Sequence, residues 1–283
     1  MLHRILYTLL GLVIIITTVV FDPKSTSGPA ASPLDRGQED LGRFAYPSLA
    51  RISWRSHFVM PNESLERLFG DDWIAVARFN RIDRRHVYPG MTIRVPERIE
   101  EIRNYTPLPA VYEAAKPHPK YLLLNITEQW IGAYESGQLV FSMPAASGIE
   151  GHLTPTGLFK IKAHHRRHTS SLYKTANGEA QYPMDYALLF LIDKEQVLYW
   201  IHARDLPGRP ASHGCVGVFD EAMQRRVYGV PDQPVLADAK KLYAWTIGPE
   251  RLAADDGTVR QFEDGPPLEI IGALPRRLDR SPR

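Results

Sequence analysis

The chain has 283 residues, 44% hydrophobic and 23% charged, the balance of a globular protein with apolar material for one good core and a smaller one. A formal net charge of +2, with no Lys or Arg run interleaved with aromatics, excludes the electrostatic footprint of a nucleic-acid binder. A single cysteine excludes a disulfide framework.

His3 and Arg4 precede an uncharged run from Ile5 to Phe21, read as an N-terminal apolar helix. The run is long for a signal-peptide apolar region and short for a spanning helix, which needs about 20 residues. Residues 1–22 are expected to be an uncleaved signal anchor in the inner membrane with Arg4 inside; the alternative is a signal peptide cleaved near Gly28-Pro29-Ala30-Ala31. Both place the remainder in the periplasm, where a lone thiol is a liability unless it is used. No cysteine follows the apolar run, so the chain is not itself a lipoprotein.

Residues 23–51, rich in Pro, Ser, Gly and Ala, read as a tether, with the folded part starting near Ile52. Residues 52–98 order as a short extended piece, a helix around SLERLFG, a helix around DDWIAVARFNRI, and an alternating strand in VYPGMTIRVP. Asn62 and Ser64 are candidate N-caps, and Tyr88-Pro89-Gly90 a tight turn. This strand-helix-helix-strand order, with RFN and YPGMTIRVP, resembles the LysM peptidoglycan-binding module, although Pro61-Asn62-Glu63 stands where an acidic Gly-Asp or Gly-Glu is usual. The resemblance implies a small α+β glycan-binding domain. A unit that only buttresses its neighbour is the other reading.

Pro107, Pro109, Pro117 and Pro119 mark a linker over residues 99–118. From residue 119 to 274 the texture is short β-rich runs (YLLLNIT, WIGAYES, GQLVFSMPAAS, GLFKIKA, ALLFLI, VLYWIHA) separated by turn residues, which argues for a mainly β domain with a few helices. Helices are expected at Asp220–Tyr228 and Val235–Trp245, and a closing strand in PLEIIGAL. Tyr121, Trp130, Tyr134, Tyr199 and Trp200 read as core or half-buried strand residues. Residues 275–283, with Arg276, Arg277, Arg280 and Arg283, read as a solvated basic tail.

The chemistry concentrates in WIHARDLPGRPASHGCVGVFD. A strand ending at His202 and a loop returning through Ser212, His213 and Gly214 would bring an imidazole to Cys215. A neighbouring imidazolium lowers a thiol pKa from near 8.5 into the useful range. Gly214 allows backbone conformations that turn amides toward an oxyanion. From these residues alone an inert buried cysteine is an equal reading. His164, His165 and His168 cluster, but Arg166 and Arg167 between them argue against a metal site, and a basic, mobile active-site lid is expected instead. Asp205 is expected to face solvent rather than complete a triad. No Gly-rich phosphate loop occurs, so no cofactor is implied.

The Ser212-His213-Gly214-Cys215 run, SGIEGHLTPTGLFKI, and YPMDYALLFLI followed by YWIH resemble the L,D-transpeptidases (the YkuD or ErfK/YbiS/YcfS/YnhG family) over about residues 119–274. The resemblance implies a YkuD-like β-sandwich or barrel. It implies Cys215 as nucleophile, and His202 as general base with its tautomer set by a carbonyl such as that of Ala203. It further implies Ser212 and His213 as pocket-lining groups, and the Gly214 and Cys215 amides as oxyanion hole. Tyr182, Met184, Arg204 and Arg209 are the substrate-binding candidates. The family usually has Arg or Asn where Gly217 stands, a contact then left to Arg204 or Arg209. Residues 221–265 read as an insertion able to cap the site. The implied partners are peptidoglycan stem peptides and glycan, with a stem peptide, an outer-membrane lipoprotein or water as acyl acceptor. The rivals are a hydrolytic L,D-carboxypeptidase or amidase and a non-catalytic wall-binding protein.

Overall fold

The alternating apolar runs pair side by side because each strand has one face of Leu, Ile, Val and Ala to bury. A computed structural model describes residues 44–278 apart from 176, 177 and 179, and all of these lie in one compact unit. The expected membrane segment, most of the tether, and Arg280 and Arg283 fall outside the described residues.

In chain order, β1 (Phe44–Ala45) leads to β2 (Trp54–Phe58), α1 (Leu65–Phe69), α2 (Trp73–Asn80) and β3 (Thr92–Pro96). Ser64 caps α1, accepting from the Arg67 amide; Asn62 is instead a positive-φ turn residue (φ 69°). Strands β2 and β3 pair antiparallel, so the expected strand-helix-helix-strand order is present.

Next come β4 (Tyr121–Asn125), β5 (Trp130–Glu135), β6 (Gln138–Ala146), β7 (Gly157–Lys160), β8 (Ala163–Lys174), β9 (Gln181–Ile192), β10 (Leu198–Arg204) and β11 (Val216–Phe219). The helices α3 (Glu221–Tyr228) and α4 (Asp238–Ala253) follow, then β12 (Arg260–Gln261), β13 (Pro267–Ile271) and β14 (Arg276–Arg277). Asp220 caps α3 through the Met223 amide at 2.7 Å. Helix α4 outruns the expected Trp245 end, continuing past a kink at Gly248-Pro249.

The domain is mainly β: one curled ten-stranded sheet in the order β12-β8-β9-β10-β11-β6-β5-β4-β13-β7. The concave side holds the core, with Leu122, Ile131, Leu188, Ile201, Val216 and Val218 packed against Leu242, Tyr243 and Ile247 of α4. The site's defining pair is β10 and β11, which run parallel, while their outer neighbours β9 and β6 pair antiparallel.

Two expectations about boundaries need correction. The fold begins by Phe44, because β1 pairs with β14 and Tyr46 and Leu49 are buried; the segment before Ile52 and the basic tail are thus partly built into the structure. Nor are residues 99–118 a free spacer: Leu108 and Ala115 are buried with Tyr121, Trp130 and Tyr134.

The N-terminal β-α-α-β segment shares a core with the large sheet. Val76, Phe79, Ile82 and Ile93 bury in one cluster with Ala146, Leu206, Phe219 and Leu236. Charges complete the contact. Arg81 is fully buried against Glu128 (3.1 Å) with its guanidinium 4.0 Å from the Tyr46 ring. Arg84 grips Glu221 with two bonds of 2.8 and 2.6 Å, and Arg78 meets Asp238 at 2.6 Å.

Candidate active site

On a strand, alternate residues share a face, so Trp200, His202 and Arg204 of β10 point one way. The parallel register sets Ile201 beside Val216 and His202 beside Gly217. Cys215, one residue before β11, therefore comes level with Trp200, and Cys215 and Gly217 share the face of His202 and Arg204. The sequence-adjacent loop that separates His202 from Cys215 is closed by the sheet itself.

His202 is buried, and its Nδ1–H donates to the Ala203 carbonyl at 2.7 Å, the tautomer expected from the sequence, which leaves Nε2 as the basic nitrogen. Burial drives its pKa down to about 3, with the Arg204 charge acting in the same direction. The imidazole is neutral at physiological pH. Burial pushes the Cys215 thiol up, opposed by a hydrogen bond with the Trp200 backbone and by the Arg204 charge, and its sulfur lies 4.0 Å from the Leu198 carbonyl. Burial thus opposes the charged form of both groups in the resting arrangement.

The turn before Cys215 is braced from both sides. Ser212 is buried, its hydroxyl donates to the Cys215 carbonyl and accepts from the Gly214 amide at 3.1 Å. Thr154, from the LTPTG turn, donates to the Gly214 carbonyl at 2.9 Å and accepts from the Gly148 amide at 2.9 Å. Gly214 has φ +111°, and a Cβ on it would lie 2.7 Å from Tyr199 Cε1. The Gly214 amide, one of the two oxyanion donors expected from the sequence, is thus engaged by Ser212. His213 is exposed, stacked on Tyr173 at 4.6 Å and edge-on to His152 at 4.7 Å, so it borders the mouth of the site.

Tyr182 and Met184, on β9, join Trp200 and Cys215 in one small apolar cluster. Tyr182 sits edge-on to His202 with ring centroids 6.5 Å apart. Arg204 donates to the Ala211 carbonyl at 2.6 Å, tying the two ends of the loop together. Arg209 donates to the Pro210 carbonyl and lines, with Ile149, Leu153 and Thr154, a cavity of about 960 Å³ that adjoins the nucleophile's turn through Thr154.

Two expectations fail on burial. Asp205 is only 8% exposed, accepting from Arg85 at 2.6 Å and from the Tyr182 hydroxyl at 2.8 Å, so it does not face solvent. The histidine-rich segment is a regular strand, β8: His164 is buried against Tyr243 (2.9 Å), and the His168 ring packs tilted against Trp200 at 4.4 Å, rather than forming a mobile lid. The residues that sequence reasoning missed are Thr154 and Arg85. Thr154 stood inside the quoted LTPTG turn; nothing in the local pattern of Arg85 marked it.

No curated protein matches the chain. Solved structures similar to it include an L,D-transpeptidase from Stackebrandtia nassauensis (16% identity, TM-score 0.39, 73% of this chain and 69% of that one). Another is the L,D-transpeptidase of Xylanimonas cellulosilytica (19%, 0.39, 70% and 78%). L,D-transpeptidase 1 of Mycobacterium tuberculosis is a third (18%, 0.32, 54% of this chain), and there the match spans 62% of that protein's length. A family model for the YkuD L,D-transpeptidase catalytic domain matches residues 119–259, a range that contains His202, Cys215 and the Thr154 turn. The chain therefore carries, over those residues, an L,D-transpeptidase catalytic domain of the YkuD family.

Proposed function

We propose that the protein is a cysteine-dependent L,D-transpeptidase acting on peptidoglycan tetrapeptide stems in the periplasm. The observation that carries this reading is the parallel β10–β11 register, which sets Cys215 and a neutral, carbonyl-oriented His202 on one face inside a matched catalytic domain.

Burial disfavours a preformed ion pair, so proton transfer accompanies attack. Cys215 Sγ bonds to the carbonyl carbon of the third, dibasic residue while its proton passes to His202 Nε2. The Cys215 amide faces the developing oxyanion. The tetrahedral intermediate collapses by breaking the amide bond to D-Ala, whose nitrogen takes the proton from His202, leaving a thioester. An acceptor amine then attacks the thioester carbonyl and gives its proton to His202; the C–S bond breaks and the thiol is restored. A stem-peptide acceptor yields a cross-link, a lipoprotein lysine an anchored protein, and water a trimmed stem. Ser212 and Thr154 hold the nucleophile's turn, and Tyr182, Met184 and Trp200 form the apolar wall beside the sulfur.

The β-α-α-β segment is proposed as a LysM-like unit that contacts glycan, on its element order and its YPGMTIRVP turn and strand; the N-terminal apolar run is proposed as the inner-membrane anchor. Incubating the protein with disaccharide tetrapeptides and following D-Ala release by mass spectrometry, with and without an added D-amino acid acceptor, tests the reaction. Release dependent on Cys215, with the acceptor incorporated, supports transfer; release without incorporation assigns hydrolysis.

A further inference from the structure

Asp83, Arg85 and His86 follow α2 and reach the segment directly after His202. Asp83 is fully buried; its backbone amide donates to the Leu206 carbonyl at 2.9 Å, and its carboxylate accepts from the Leu206 amide at 2.6 Å. Ile82 bridges to Pro207. One residue earlier, Asp205 is held from two directions: Oδ2 accepts from Arg85 Nη2 at 2.6 Å, with His86 Nε2 at 3.4 Å, and Oδ1 accepts from the Tyr182 hydroxyl at 2.8 Å. Arg85 is itself fixed over the Tyr228 ring of α3 at 4.0 Å. Tyr182 then presents its ring edge-on to the His202 imidazole.

Among the described residues, the side-chain hydrogen bond of His202 is the one to Ala203, the next residue in its own chain. A single bond to a neighbouring carbonyl fixes the tautomer but leaves the ring's tilt to whatever packs on it. On one side that packing is Tyr182, whose hydroxyl donates to Asp205 and also meets Tyr228, the ring on which Arg85 lies. We propose that Arg85 is a positioning residue for His202: through Asp205 and Tyr182, the N-terminal segment sets the tilt of the base, so that its docking is required for a productive site. This rests on the transpeptidase reading for its consequence in turnover, but the geometric claim stands apart from it. It gives the N-terminal segment a role in the chemistry besides any contact with glycan.

The shared apolar core already accounts for attachment of the segment, so a purely structural Arg85 would leave the imidazole untouched. The test compares the full-length protein with Arg85→Met, Arg85→Lys, Asp205→Asn and Tyr182→Phe, each checked for an unchanged unfolding transition. In histidine-labelled protein, the His202 Nδ1–H resonance is sharp and slowly exchanging in the wild type and in Arg85→Lys. It broadens and exchanges faster with solvent in Arg85→Met and Tyr182→Phe. For D-Ala release, Arg85→Met lowers kcat about ten- to a hundredfold, the scale of a misplaced catalytic group, with KM changed less than about twofold. Lysine restores part of the loss. Tyr182→Phe removes one hydroxyl and leaves the segment docked, so it reads the same link if Arg85→Met does not fold. An Nδ1–H signal and kcat identical to wild type in the folded variants overturn the proposal. If the wild type releases no D-Ala, the transpeptidase reading fails, and the resonance alone decides the positioning claim.

Discussion

The aliphatic stem of Arg204 lies directly over Gly217, so that a Cβ there would be 2.5 Å from Arg204 Cδ and 2.7 Å from Arg204 Cβ. A glycine on β11 thus leaves room for an arginine reaching across from β10. The arginine's guanidinium supplies the loop contact, at Ala211.

Restoring a side chain at Gly217 alone therefore harms the site. Gly217→Asn is expected to displace Arg204, break its bond to Ala211 and cost about 1–3 kcal/mol, as overpacking does. Adding Arg204→Ala removes the Cδ contact but keeps the Cβ one at 2.7 Å, so the double variant should recover only part of the loss of Gly217→Asn. A double-mutant cycle by urea denaturation measures the coupling; additive effects contradict it.

Ser212 satisfies the Gly214 amide and donates to the Cys215 carbonyl from a buried position. Ser212→Ala leaves both without that partner and should cost about 1–3 kcal/mol. Turnover should fall further than stability explains, because the nucleophile's turn loosens. Gly214→Ala should be worse, since φ +111° and the Tyr199 ring both oppose a Cβ. Thiol alkylation rates with iodoacetamide, compared at matched folded fraction, separate a loosened turn from simple unfolding.

Arg81 is buried with Glu128 as its counter-ion. Glu128→Ala strands a charge in the interface and should destabilise by about 3–5 kcal/mol, whereas the paired replacement Arg81→Met with Glu128→Leu should recover most of that. Urea midpoints of the three proteins check the order.

Acid should unfold the protein earlier than its carboxylates alone would. Burial holds His202 down at about 3 and His168 at about 4 in the folded chain, against about 6.5 when unfolded. Below about pH 6.5 the unfolded chain binds the extra protons, so stability falls as pH falls, at up to about 1.4 kcal/mol per pH unit for each histidine. Asp205 adds to the loss below about pH 4. Burial raises its pKa, but the charges of Arg204, His86 and Arg85 outweigh this and bring it to about 2. Asp220, raised to about 6 by burial, offsets part of the slope between about pH 4 and 6. His168→Phe should flatten the pH dependence of the urea midpoint between about pH 7 and 5; an unchanged slope contradicts the assignment.

Much of this was legible in the sequence because it is local. The strands from Tyr121 onward, the helix at Asp220, the Ser64 cap and the His202–Ala203 bond all follow from period, capping chemistry and chain adjacency. The shifts that raise the Cys215 thiol and lower the His202 imidazole were not legible, since they depend on burial. Asp205 was misread for the same reason: its partners, Arg85 and Tyr182, lie far away in the chain. The choice between Arg204 and Arg209 at Gly217 was not legible either, because it takes the strand register to place Arg204 above it.

The central claim is a thioester on Cys215, and intact-protein mass spectrometry reads it directly. With a disaccharide tetrapeptide, the wild type should gain the mass of the acyl group left after D-Ala departs, and the adduct should disappear when an amine acceptor is added. Cys215→Ala should show neither adduct nor D-Ala release. Release of D-Ala by Cys215→Ala, or a wild type that turns over with no sulfur-bound intermediate under any quench, would contradict the account.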